Sequence, residues 1–246
     1  MRKNIFISII TVILLTSCSE LQKVVQSLDA SRPLTEAEII AGLKEALIVG
    51  TDSSASKLGK LNGYYGDELV KILLPPEAAP IINNIGRIPG GDKLLEDVIL
   101  RINRAAEDAA KEAKPVFVNS IKSMTISDAL NILKGSDDAA TQYLINTTYN
   151  QLFGLYQPKI KASLDKKLIA GISTAESWNT LTGEWNKIAG SVIGQVAGFQ
   201  KVDIQLDEYL TQKGLDGLFL KIAEEEKQIR HDPIARVTEL LKRVFS

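Results

Sequence analysis

"KLLEDVILRINRAAEDAAKEA", residues 93–113, is the stretch that decides the fold class. Leu94, Leu95, Val98, Ile102, Ala105, Ala106, Ala109 and Ala113 recur at three- and four-residue steps. At 3.6 residues per turn those steps place them on one side of a helix. The alanine half of that side lets a neighbouring helix come close. Pro115 lacks an N–H donor and its ring crowds the preceding turn, so a kink or a restart is expected before "VFVNSIKSM".

The same periodicity continues on either side. Upstream, "TEAEIIAGLKEAL" opens with Thr35 and Glu38 at the spacing of a reciprocal helix cap, followed by a stripe of Ile39, Ile40, Leu43, Ala46 and Leu47. Downstream, "TISDALNILKG" repeats the pattern, with Thr125 and Asp128 at the start, Ile126, Ala129, Leu130 and Leu133 inside, and Gly135 at the stop. "SDDAATQYLINTTYNQLFGLY" starts a further helix at Asp137 and Asp138, where the macrodipole favours negative charge. Trp178, Leu181 and Trp185 share one helical face, and another helix is expected from about Ile204 to Arg230. Asp232 and Pro233 then provide a cap and a first turn for a terminal helix ending near Phe245.

The exception is the segment 62–91, crowded with glycine and proline. There "VKILLPPE" suits an extended piece, with a short helix near residues 77–85. No internal repeat and no sustained alternation of period two is visible. The expected class is therefore all-α, a single compact multi-helix domain over residues 34–246 with an irregular Pro/Gly-rich segment near 62–91.

The first residues carry an address. Arg2 and Lys3 precede a mostly apolar run from Ile5 to Leu15, which is short of the roughly 20 residues a membrane-crossing helix needs. A basic start and a short apolar run ending in small residues read as an export signal. Leu15, Thr16, Ser17 and Cys18 resemble the bacterial lipobox, in which a dedicated peptidase cuts before a lipid-modified cysteine. Cys18 is the single cysteine of 246 residues and has no internal disulfide partner; lipidation accounts for it. The organisation expected is a signal peptide at 1–17, a lipidated N-terminus and tether at 18–33, and the helical domain after it. Ser19 follows the cysteine in place of an inner-membrane retention aspartate, which favours the outer membrane, facing the periplasm.

Composition narrows the chemistry. Hydrophobic residues at 45% give the chain enough to build a core. A net charge of −1, with a pI near 6.0, offers no basic stripe for nucleic acid. With Cys18 lipidated and a single histidine, His231, there is no thiolate–histidine pair, no soft metal cluster and no HExxH helix. His231 beside Asp232 reads as a solvated or capping residue. No cofactor is implied and no metal site is assigned.

"KGSDDAATQY", residues 134–143, is the most site-like stretch, because Asp137 and Asp138 are the oxygen ligands a hard cation prefers. Two carboxylates are too few for such an ion, and ordinary helix capping is the preferred reading. "GRIPGGDK", residues 86–93, lacks the phosphate-loop spacing and reads as a loop. Glu226 and Arg230, four residues apart, read as an ion pair on a solvated helix face. Gly190, Gly194 and Gly198 form a GxxxGxxxG ladder in an uncharged run, Ile188 to Phe199. That run is too short to span a bilayer, and a close-packed helix or an irregular apolar segment within the body is preferred over insertion.

Five blocks carry a resemblance. "GLKEALIVGT", "RINRAAEDAAKEAKPVF", "SMTISDALNILKGSDDAATQYL", "YLTQKGLDGLFLKIAEEEKQIRHDPIAR" and "LLKRVF" fall in order along the chain. They resemble a bacterial lipoprotein family known as domain of unknown function 4197. The resemblance implies an all-helical envelope protein and brings no catalytic residues, substrate or cofactor. A site shared with that family would draw on the polar residues of the blocks: Asn103, Arg104, Glu107, Lys134, Asp137, Asp138, Thr141, Arg230 and Arg236. The function expected is a lipid-anchored envelope protein in a non-catalytic binding or structural role, its membrane contact made through Cys18. Two alternatives stand beside it: a carrier of a lipid or other apolar ligand, with the glycine-rich run lining a cleft, and a cation-dependent enzyme working around Asp137 and Asp138.

Overall fold

A computed structural model describes residues 33–85, 91–169, 172–236 and 238–244. The signal and anchor expectations, Cys18 among them, and most of the "GRIPGGDK" loop lie outside the described residues. The chain divides into two units, residues 1–39 and 40–246. In the first, Thr35 and Glu38 form the expected reciprocal cap: the Thr35 N–H donates to Glu38 Oε2 at 2.8 Å and the Glu38 N–H to Thr35 Oγ1 at 3.3 Å.

The fold is all-α. Helix α1 spans Glu36–Leu58. After an extended stretch and a 3-10 turn, Pro76–Ala78, comes the short α2, Ala79–Ile82. Then follow α3 (Gly91–Ala110), α4 (Ala113–Ser123), α5 (Ile126–Lys134) and α6 (Ala139–Asp165). The last third holds α7 (Thr174–Gly190), α8 (Val192–Val196), α9 (Leu206–His231) and α10 (Glu239–Val244). Two very short strands, β1 (Lys167–Ile169) and β2 (Ile172–Ser173), pair antiparallel between α6 and α7. The sequence shows no alternation there, because a ladder this short needs none.

Helix α6 is the hub of the second unit, packing on α9, α3, α4, α5 and α7. Its buried residues explain this: Ala140, Leu144, Thr148, Leu152, Tyr156, Ile160 and Leu164 recur every fourth position. Each four-residue step overshoots a turn by about 40°, so the stripe winds around the helix and meets a different neighbour at each level. Pro158 lies inside α6, beyond the Tyr156 where the sequence pattern stops. Pro158 and Gly154, whose carbonyl loses its partner, are both on the exposed side, where water can take over, while Tyr156 and Ile160 hold both halves to one core.

The decisive stretch behaves as its pattern requires. Val98, Ile102, Ala105, Ala106, Ala109 and Ala113 are all buried. The restart comes ahead of Pro115, however: α4 begins at Ala113, which puts the proline in a first turn whose N–H groups have no helical partner anyway. Helix α5 has its Thr125/Asp128 box and ends at Gly135. Within it the expectation for Ile126 fails: the side chain is 60% exposed, and Ile132 occupies the core instead. Asp232 and Pro233 cap only a 3-10 turn, Pro233–Ala235, and α10 starts separately.

Candidate functional site

Most of the polar residues singled out by sequence gather in two places, each built around a buried glutamate. The first forms where α3 meets the loop after α1. Asn103 is fully buried and acts as a surrogate strand for the extended segment beside it. Its Oδ1 accepts the Ile72 N–H and its Nδ2 donates to the Ile72 carbonyl, both at 2.8 Å, with a further 2.8 Å bond to the Ile99 carbonyl. One turn on, Glu107 Oε1 accepts the N–H groups of Tyr64 and Tyr65 at 3.3 and 3.2 Å. Its other oxygen accepts from Arg104 Nη1 at 2.6 Å. Arg104 Nη2 donates to Asn62 Oδ1 at 2.7 Å, and Asn62 sits in the left-handed region at φ 66° that asparagine tolerates. The Tyr65 ring lies beneath both Lys71 and Arg104, at 4.7 and 5.8 Å from the ring centre. Tyr64 is buried and donates to the Gly214 carbonyl of α9 at 2.6 Å. Burial, reinforced by the Glu107 charge, pushes its phenol far above the ordinary tyrosine range.

The second place is the start of α6, where Asp138 occupies the cap position but its carboxylate makes no capping bond. Asp138 Oδ1 accepts from Ser136 Oγ at 2.6 Å instead, a bond that lowers its pKa. The cap comes from α9. Glu226 accepts the N–H groups of Ala140 and Thr141, each at 2.9 Å, and the Thr141 hydroxyl at 2.8 Å. Arg230 Nε and Nη2 donate to Glu226 Oε1 at 3.1 and 2.7 Å, and Nη2 also reaches the Ile132 carbonyl at 2.9 Å. The Glu226–Arg230 pair is therefore not on a solvated face: its side chains are 6% and 11% exposed. Arg236 closes the end of α9, donating to the carbonyls of Ile229 and Arg230 at 3.1 and 2.9 Å.

Lys134 and Asp137 stay outside both clusters. Lys134 is exposed, and Asp137 Oδ1 meets His231 Nε2 at 2.7 Å on the surface. Along α9 the level of Gly214 and that of Glu226 are about 18 Å apart, so the two glutamates serve different junctions. Sequence inspection missed Glu226 as a site residue, because its partners lie 85 and 86 residues away and leave no local signature.

What these clusters can do chemically follows from their valences. Each carboxylate is surrounded by main-chain N–H groups and one guanidinium. The cavity beside Glu226 and Arg230 is about 20 Å³, room for about one water. Among the described residues, no three His, Cys, Asp or Glu side chains gather as metal ligands. Two clefts are larger. One of about 310 Å³ is walled by Leu164, Trp178, Asn186, Val202 and Leu206, away from both clamps, and a shallow one of about 340 Å³ runs between α6 and α9 from Asp138 and Thr141 past Tyr149, Phe219 and Leu220.

Over residues 33–246 the chain matches the model of a family described as a protein of unknown function, DUF4197. The chain belongs to this family. No curated protein and no solved structure matches the chain. Within this DUF4197 member, the polar residues singled out from the five sequence blocks resolve into the two glutamate clamps, the Asn103 bridge and the Arg236 closure, together with exposed Lys134, Asp138 turned to Ser136, and the Asp137–His231 surface pair.

Proposed function

We propose that this DUF4197 chain is a lipid-anchored protein of the bacterial envelope, held by acyl chains on Cys18 and facing the periplasm from the outer membrane, in a binding or structural role. One observation carries the non-catalytic part. Asn103, Arg104, Glu107, Thr141, Glu226, Arg230 and Arg236 direct their hydrogen bonds to main-chain groups, to one another or, for Arg104, also to the Asn62 side chain. Side chains used in this way hold segments together; a reaction centre needs donors and lone pairs turned toward an incoming molecule. The anchor part is supported by Arg2, Lys3, the apolar run and the "LTSC" tetrapeptide. Two or more acyl chains suffice for stable attachment, since each buried methylene contributes about 0.8 kcal/mol.

The test uses the full chain in its bacterial host. Globomycin, or Cys18→Ala, is expected to leave a larger, unprocessed precursor, and the untreated chain should fractionate with outer membranes. Unchanged size under globomycin, with membrane retention of Cys18→Ala, sinks the proposal.

A further inference from the structure

The glycine-rich run 188–199 packs into the body only in part: Ala189 is buried and Phe199 lies against the core, while the middle of the run is an irregular exposed segment. Its three glycines do not share a helical face, because the helix breaks at Ser191: Gly190 ends α7, Gly194 sits in α8, and Gly198 follows at φ 74°. The break depends on glycine at 194, where a Cβ would lie 2.1 Å from the Ile188 carbonyl oxygen. The result is a projecting tip with Val192, Ile193 and Val196 exposed at 78, 81 and 86%, beside a half-exposed Ile188.

That tip is firmly braced. Trp185 Nε1 donates to the Gln200 carbonyl at 2.9 Å, and its ring packs on Phe199 at 5.0 Å. Asn186 pairs with both main-chain groups of Val202, at 2.8 and 2.9 Å. Much of the tip's own backbone is bonded internally: Gly194 N–H to Ser191 Oγ at 3.0 Å, Phe199 N–H to the Gly194 carbonyl at 2.9 Å, and Gln195 Nε2 to the Gly190 carbonyl at 3.0 Å. A backbone satisfied from within can leave water at low cost, while its apolar side chains gain by leaving.

We propose that residues 188–199 form a membrane-contact tip, whose Val192, Ile193 and Val196 enter the boundary between headgroups and acyl chains of a phospholipid bilayer. No charged residue occurs from Ile188 to Gln200, and the two residues bracketing that interval, Lys187 and Lys201, are both cations. Both are exposed; Lys187 also pairs with Glu184 at 2.6 Å, so Lys201 is the cation better placed for phosphate headgroups around an inserted apolar tip. A second copy is a poor occupant: a stable interface buries about 1,200–2,000 Å² in total, and a five-residue helix cannot provide it. A bilayer makes no such demand. The inference rests on the Cys18 anchor, which keeps the bilayer at high effective concentration, so a weak contact suffices.

The experiment uses the full mature chain carrying Ile193→Cys, labelled with an environment-sensitive dye, in vesicles of phosphatidylethanolamine and phosphatidylglycerol. The expected result is a blue-shifted emission on vesicles, quenched by nitroxide placed in the upper acyl region. The same dye at Ile126→Cys, another exposed apolar position, is expected to stay in water. Adding Val192→Ser and Val196→Ser should lower the inserted fraction on the order of tenfold for each valine removed. A dye at 193 that reads water on vesicles overturns the proposal. So does an equal shift at 193 and 126, or a shift at 193 that needs protein concentration and no lipid. The unsubstituted chain, taken through the same labelling and weighed by mass spectrometry, reports separately whether Cys18 is acylated.

Discussion

Glu226→Ala removes one carboxylate that serves three tasks. It strips the acceptor from the N–H groups of Ala140 and Thr141 at the start of α6 and from the Thr141 hydroxyl. It also leaves Arg230, only 11% exposed, with the Ile132 carbonyl as its remaining partner. Loss of a helix cap costs about 1 kcal/mol, and breaking a buried ion pair from one side costs about 3–5 kcal/mol. Because these overlap, the expected loss is about 4 kcal/mol, out of a total stability of roughly 5–15 kcal/mol. For a chain of this size that is a fall of about 8–16 °C in Tm. Urea unfolding, followed by the buried Trp178 and Trp185 and by far-ultraviolet circular dichroism, measures it directly. Glu225→Ala is the neighbouring control: Glu225 pairs with an exposed Lys57, and the expected loss is within about 1 kcal/mol. Glu226→Leu with Arg230→Met removes both charges and should recover most of the loss, leaving the uncapped N–H groups and the lost bonds of the Thr141 hydroxyl and the Ile132 carbonyl, about 1–2 kcal/mol. A loss below about 1 kcal/mol for Glu226→Ala at unchanged m, or a double variant as unstable as the single one, refutes the clamp.

Tyr156 Oη is buried and has no hydrogen-bond partner among the described residues, so Tyr156→Phe is expected to hold or raise stability, by up to about 1 kcal/mol, in urea unfolding at neutral pH. Burial raises the Tyr156 phenol well above its ordinary value, as it does for Tyr64. Below the unfolded value of about 10 both states keep the proton and full stability is present; as pH rises past it the unfolded chain ionises first and stability falls. Tyr156→Phe should flatten that alkaline decline, measured as the slope of unfolding free energy against pH. Gly217→Ala would set a Cβ 2.9 Å from Tyr64 Cε1 and 3.2 Å from Val70 Cβ, costing about 1–3 kcal/mol. Gly214→Ala meets Ala106 Cβ at an ordinary 3.8 Å and should be neutral or stabilising by up to about 1 kcal/mol on the same denaturation assay.

The features legible in the sequence are those whose partners lie a few residues away. Thr125 and Asp128, or Thr35 and Glu38, form their caps within one turn, so spacing alone announces them. The stripe of α3 is equally local, since periodicity reports one buried side whatever covers it. Glu226 is the opposite case. Its pairing with Arg230 was visible at four residues, but its burial depends on the start of α6, which no nearby residue encodes. Asp138 misleads for the same reason: it sits where a cap belongs, yet turns to Ser136 while a carboxylate from another helix takes the N–H groups. At Gly190, Gly194 and Gly198 regular spacing left a close-packed helix and an irregular segment both open, and the Ser191 break decides for the irregular one.

The two clamps share a logic that bears on where function sits. Glu107 joins α3 to Tyr64 and Tyr65 across 43 and 42 residues, and Glu226 joins α9 to Ala140 and Thr141 across 86 and 85. Apolar replacements of equal volume often match or exceed a buried ion pair in stability, so stability alone gives little reason for charge at these positions. Register gives a better one. A carboxylate aimed at two consecutive N–H groups accepts one docking of that segment, and slippage by a residue would leave a buried charge without its donors. The charged interior then specifies which loop meets which helix, and the residues that match the family blocks belong largely to that specification. Recognition of anything outside the chain falls to surfaces that the clamps leave free, and the tip at Val192, Ile193 and Val196 is such a surface: apolar as a core, yet held outside by Trp185, Phe199 and Asn186.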